Sequence, residues 1–477
     1  MITSAITVGF GGSVGLEAPI VVTGSAIGSN LSKWMRLNYR RRTLLIGCGT
    51  AGAISAIFNS PIAGVIFAIE VILTEVTISK FIPILIASVS GQLVSIILLG
   101  EDVLFSFSIT EGFKAVDTPY FIGLGVICGL TSLYFTRVMF IVENSIVKHK
   151  NEFLRILIGG LGLAVMVLIL PPIYGEGYET IISLMNQTED KYYLKGVHEF
   201  INTSPYILVA FLIIVVLIKP IATALTIGSG GSGGVFAPSL FTGAIIGFIV
   251  GVTINSLMPH AKVNISNFTL IGMSGVMSGV LHAPLTSIFL IAEVTGGYTL
   301  FVPLMLVSAL AYTTTSYFEK YSIYTKPLFV KGDLIPYDRD FMVLNLMKIN
   351  ILIEKDHKPI HPNETLKGLT ELVRKSNRNL FPVVNDGGVL EGIVTLDDIR
   401  DIMFDAKMQS SVIVKTIMQK PTATIMPNEK MQSVMDKFQM TQAWNLPVIE
   451  NGKYIGFLSK SRIFNSYRNE LIWQNKD

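Results

Sequence analysis

One segment of this chain occurs twice, and the second copy keeps the spacing of the first. "FNSPIAGVIFAIEV" (58–71) matches "LHAPLTSIFLIAEV" (281–294) in register. Gly52, Pro61 and Glu70 stand nine residues apart, as do Gly275, Pro284 and Glu293. Upstream, "GLEAP" (15–19) pairs with "GVFAP" (234–238), at 42 and 46 residues from the next matched proline. Chance similarity between apolar runs gives single matches, not an ordered series. The series predicts a fold made of two related halves, with a site where they meet.

The solvent of those halves follows from where charge is placed. Of the 71 Asp, Glu, Lys and Arg residues, 38 fall in 1–340 and 33 in 341–477. Soluble domains carry about 25% charged residues, a level that only the last part approaches. The first part reads as embedded in lipid and the last as an ordinary water-exposed unit. Apolar runs at 81–99, 119–142, 153–173 and 206–227 are long enough to cross a bilayer. Others are cut by Gly or Pro into shorter pieces: 43–58 then 61–73, 235–257, and 268–281 then 284–294. Half-helices are tolerated in a membrane where they line a protein cavity, and their ends offer backbone amides to an ion. Tyr39 to Arg42 reads as a cytoplasmic turn by the positive-inside rule.

A second repeat closes the chain. "LFPVVNDGGVLEGIVTLDDIRDIM" (380–403) resembles "NLPVIENGKYIGFLSKSRIFNSY" (445–467), each reading as strand, turn, strand, and a helix entered through Thr395 or Ser459. Amphipathic helices precede the copies at 364–376 and 429–441. The net charge of +3 gives no argument for nucleic acid, and Cys48 and Cys128 sit in apolar runs that hold no disulfide framework. Residues 1–19 lack the parts of a signal peptide. His260 and His282 are isolated, so no metal site is expected, and no nucleophile–base pair points to an enzyme.

These motifs resemble the CLC family of chloride channels and chloride/proton exchangers. "GLEAP" is similar to the family's motif around its gating glutamate, with Ala18 where the family has glycine. "GSGGSGGVFAPSL" (228–240) is similar to its glycine-x-phenylalanine-x-proline motif, and "SIYTKPL" (322–328) sits where the family has an ion-coordinating tyrosine. The closing repeat resembles a pair of CBS domains. The fold this implies is a polytopic α-helical membrane protein, with a CLC-type inverted repeat and broken helices, plus a cytoplasmic α/β CBS tandem. Its divisions would be a transmembrane domain at 1–336 and CBS domains at 337–408 and 409–477. The family's first selectivity motif has no counterpart before residue 12, so the resemblance implies an N-terminally incomplete domain and leaves chloride versus nitrate open. It also implies a homodimer in the cell inner or plasma membrane, with bound chloride and no required cofactor.

Conduction of chloride needs partial rather than full positive charge, which backbone amides at helix starts supply. Gly233 and Gly234 are read as letting the chain turn sharply, and Pro238 as suited to the first helical turn, making the amides of Val235 and Phe236 the natural donors. Tyr324 would add a hydroxyl. With Gly15 and Pro19 framing it, Glu17 has the charge to occupy an anion site itself: ionised it blocks, protonated it swings away. Pro19 argues against the fluoride-exporting branch. Glu70 and Glu293 read as structural carboxylates. Val71 falls on the family's inner proton position, where valine cannot titrate; the reading therefore leans to a passive channel over an exchanger, with Glu75 one turn beyond. Thr395 and Asp398 fit the pattern that binds the ribose and phosphate of an adenine nucleotide, whereas the second copy has Arg462 in place of the acid. A CBS-regulated carrier of another ion is the reading from a different class, but divalent cations call for clustered carboxylates, and here these are scattered.

Overall fold

The computed structural model describes residues 1–73, 78–100, 112–185, 205–258, 260, 262–331, 344 and 347–475. Contacts divide the chain into Met1–Lys331 and Gly332–Asp477; the expected boundary at 336/337 lies outside the described residues.

The first unit is helical. α1 (Ile2–Gly9), α2 (Glu17–Trp34), α3 (Tyr39–Phe58) and α4 (Pro61–Phe67) lead through a π-helical turn, Ala68–Ile72, to α5 (Ile78–Leu99). The bridge to the second half runs through α6 (Thr118–Val147), α7 (Glu152–Ile169), α8 (Tyr178–Met185) and α9 (Pro205–Gly228). The second half proper is α10 (Phe236–Leu257), α11 (Ile265–Leu281), α12 (Pro284–Val294), α13 (Phe301–Phe318) and α14 (Thr325–Lys331). Among the described residues six helices are long and apolar enough to cross a membrane: α5, α6, α7, α9, α10 and α13. α5 and α7 leave most of their Ile, Leu and Val side chains exposed, as contact with lipid tails requires.

Two expectations change. The run 235–257 is one unbroken helix, because Pro238 sits in its first turn, where a missing N–H costs nothing. Tyr39 to Arg42 is not a turn but the first turn of α3, started by Asn38, whose side chain accepts from the Arg41 amide.

The repeat survives as geometry. α3 ends on Asn59 and α11 on His282, both left-handed (φ 54° and 56°), and each is followed within two residues by the proline that starts the next helix. Glycines carry the matching crossings in each half. A Cβ on Gly49 would stand 2.1 Å from the Gly24 carbonyl oxygen, and one on Gly272 would stand 2.4 Å from that of Gly243. α2 meets α3, and α10 meets α11, backbone against backbone.

The halves also cap each other. Glu70 accepts from the amides of Leu285 and Thr286 (3.1 and 2.8 Å) and from the Thr286 hydroxyl (2.7 Å) at the start of α12. Glu293 accepts from Ile62 and Ala63 (3.1 and 2.8 Å) at the start of α4. Each carboxylate satisfies orphan N–H groups and faces the positive end of a helix dipole in the other half. The reading of both as structural carboxylates fits this geometry.

In the second unit β1 (Leu380–Val384) pairs antiparallel with β2 (Leu390–Thr395), and β3 (Asn445–Glu450) with β4 (Lys453–Ser459). The β3–β4 turn is Asn451-Gly452 with both φ positive, the backbone that a two-residue hairpin needs. Helices Leu366–Arg374 and Met431–Thr441 cover two separate cores. The modules interlock, since Glu354 exchanges backbone bonds with Phe457 of β4, and Gln419 with Ile393 of β2.

Candidate functional site: a carboxylate at two helix starts

The two matched loops meet. Gly15 and Gly234 donate to each other's carbonyls at 2.9 and 2.8 Å, holding the start of α2 beside that of α10. Their lack of a side chain serves this approach: a Cβ on Gly234 would stand 2.4 Å from the Ala18 Cβ. Neither Gly233 nor Gly234 has positive φ; the chain bends just after them at Val235, and the left-handed residue of the loop is Gly230, at φ 104°.

Glu17 is 2% exposed. Its Oε2 has no hydrogen-bond partner among the described residues, and the carboxylate interacts with the backbone amide of Ala237 in the first turn of α10. That N–H is one of those a helix leaves unsatisfied. Sequence reasoning placed the donors at Val235 and Phe236; the group that faces Glu17 is one residue further on. Val235 precedes α10, and the Phe236 ring is buried against Phe58 and Phe67 of the first half (centroids 5.3 and 6.4 Å). Tyr324, between α13 and α14, packs on the same core and lies within electrostatic reach of Glu17. A cavity of about 960 Å³, lined by Leu16, Glu17, Ile20, Ile57, Val94 and Glu176, adjoins the carboxylate.

Two neighbours of Glu17, and a lysine that braces their loop, were missed in the sequence. The Tyr178 hydroxyl donates to Glu17 Oε1, and Glu176 accepts from the Leu16 amide at 2.9 Å. Lys219, fully buried within α9, donates to the carbonyls of Ile173 and Gly175 (3.1 and 3.0 Å) and stands 4.6 Å over the Phe241 ring. The signals were present: a lysine alone in the run 206–227, and a glutamate and tyrosine set among glycines in "GEGY" (175–178). Val71 lies half-buried in the π-helical turn, and Glu75 lies outside the described residues.

In the second unit, Thr395 and Asp398 bond to each other. The Thr395 amide and hydroxyl both donate to Asp398 Oδ2 at 2.7 Å, a capping box on the short helix Leu396–Ile399, and Gln419 donates to the other oxygen. Without an acid at Arg462, the Ser459 hydroxyl instead donates to Glu354 at 2.6 Å. Glu354, Asp356 and His357 bring ligand-type atoms within 4.8 Å of one another, but the Arg378 guanidinium already bridges both carboxylates (2.8 and 2.7 Å). The hydrogen bond from Arg378 holds Asp356 below its ordinary value of 3.8. The folded unit therefore gives up this proton more readily than the unfolded chain. Its contribution is complete above about pH 4 and fades as pH falls through the lowered value. Asp356→Asn is expected to lower stability slightly at neutral pH, with the two melting curves converging in acid; a constant gap across pH would count against the bridge.

A duplicated membrane fold whose halves place helix starts around a buried carboxylate defines a class: polytopic proteins that pass a small ion at their repeat interface. The family model "Voltage gated chloride channel" matches residues 1–316, and the "CBS domain" model matches 350–405 and 414–469. The chain belongs to this chloride channel family, CLC, and carries a C-terminal CBS pair. It is 26% identical to the chloride channel protein CLC-f of Arabidopsis thaliana, over 99% of this chain and 67% of that protein. To the H(+)/Cl(-) exchange transporter ClcA of Vibrio cholerae it is 27% identical, over 63% of this chain and 62% of ClcA, so it spans under two thirds of ClcA's length. Among solved structures it is similar in fold to a slow cyanobacterial Cl−/H+ antiporter, with a TM-score of 0.58, 22% identity, and 68% and 73% of the two chains covered.

Proposed function

We propose that this protein exchanges chloride for protons across a membrane, with Glu17 as both gate and proton carrier. The observation that carries this is the buried Glu17 carboxylate held against the N–H of Ala237 in the first turn of α10, where an anion would be bound. Ionised, the carboxylate takes the anion's place; protonated, it has no charge to hold it there and a cavity to move into. Tyr324 lies within electrostatic reach of Glu17 and would add a hydroxyl to the anion's shell.

The passive-channel reading rested on Val71, which cannot relay a proton. ClcA, at 27% identity, is named an exchange transporter, which favours exchange over the channel lean. A proton route in this protein then runs without a titratable side chain at position 71. Adenine nucleotide at Thr395 and Asp398 belongs to the same proposal, and would have to replace the bonds these residues make to each other.

Liposomes holding a chloride gradient and a pH indicator test the exchange. Chloride running down its gradient should drive protons uphill; chloride flux with no proton movement would return the protein to the channel reading.

A further inference from the structure

The loop Ile173–Tyr178 is built as a clamp on the gating segment. Lys219 fixes its backbone through the carbonyls of Ile173 and Gly175. Gly177, at φ 85°, lies so close to the Phe241 ring that a Cβ there would stand 2.4 Å from Cδ2. Tyr174 donates to the Gly9 carbonyl at 2.9 Å, and Glu176 takes the Leu16 amide. With both ends of the loop fixed, the Tyr178 hydroxyl is delivered to Glu17 Oε1.

Resting on the gate reading above, we propose that Tyr178 is the latch of the gate, a positioning residue whose hydroxyl holds the ionised Glu17 carboxylate in the anion's place. A hydroxyl donates more strongly to a carboxylate than to a neutral carboxyl oxygen, so the latch favours the blocked form and releases when a proton arrives. The other titratable groups near Glu17 are Glu176, whose like charge repels it, and Tyr324; Lys219 acts on Glu176. Tyr178 alone among them bonds to the carboxylate's oxygen.

Chloride flux against pH in proteoliposomes, using the full chain, reads the latch directly. Tyr178→Phe removes the donor and keeps the ring, so flux should persist about one pH unit further to the alkaline side than in wild type. Tyr178→Leu serves if the phenylalanine variant does not purify. In a Glu17→Ala background, where the hydroxyl has no carboxylate to hold, the same change should leave flux unaltered. A variant that lowers flux at every pH with an unmoved midpoint shows a purely structural tyrosine and overturns the latch. If Glu17→Ala itself leaves the pH dependence intact, the gate reading fails instead, so the two failures are distinguishable.

Discussion

Glu17→Gln is expected to abolish proton movement and leave chloride flux that no longer varies between acid and neutral pH. Glutamine matches the shape of a protonated glutamate and cannot ionise, so nothing carries a proton or returns to block the Ala237 amide. The change in flux should be largest at the alkaline end, where wild-type Glu17 is ionised and closed. Paired chloride-efflux and proton-uptake recordings from the same liposomes are the measurement. A glutamine variant that still moves protons against their gradient would remove Glu17 from the proton path.

The second large effect falls on stability. Glu293→Ala strips the acceptor from the amides of Ile62 and Ala63, and Glu70→Ala strips it from Leu285, Thr286 and the Thr286 hydroxyl. An orphaned buried donor costs about 1–3 kcal/mol; the Ile62 and Leu285 amides are exposed enough for water to take over, so one such cost is expected for Glu293→Ala and about two for Glu70→Ala. Glutamine at either position keeps one acceptor and should recover part of the loss. Thermal melts in detergent will show it; alanine variants that melt with wild type would mean that water replaces the carboxylates and that the reciprocal caps are incidental.

The fold was legible because its signals are periodic or repeated. Glycine and proline breaks marked Asn59 and His282, and the nine-residue spacings put Glu70 and Glu293 at matching points. What the spacings do not reveal is that each glutamate reaches across to the other half, because a partner more than 200 residues away leaves no local pattern. The run 235–257 was misread because Gly243 and Gly247 look like breaks in sequence, whereas in the fold they let an unbroken α10 press against the backbone of α11. Glu17 stood out as a lone charge among apolar neighbours. Tyr178 did not, because a tyrosine beside a glycine has many uses and only the folded loop aims its hydroxyl. The donor of Ala237 escaped for a simpler reason: backbone amides are common to almost every residue, so only geometry selects one.

The glycine crossings limit what can move. Where Gly24 touches the Gly49 backbone, and Gly243 that of Gly272, no side chains lie between the helices to slide or repack. Such a contact behaves as a rivet: it resists compression and leaves no slack for tilting one helix over its neighbour. With both helix pairs riveted, and their starts tied by the Gly15–Gly234 bonds, a turnover has little use for rocking halves. On the exchange reading proposed above, the working stroke contracts to the rotation of one carboxylate about a few side-chain bonds, a step over low torsional barriers, so that proton delivery sets its pace.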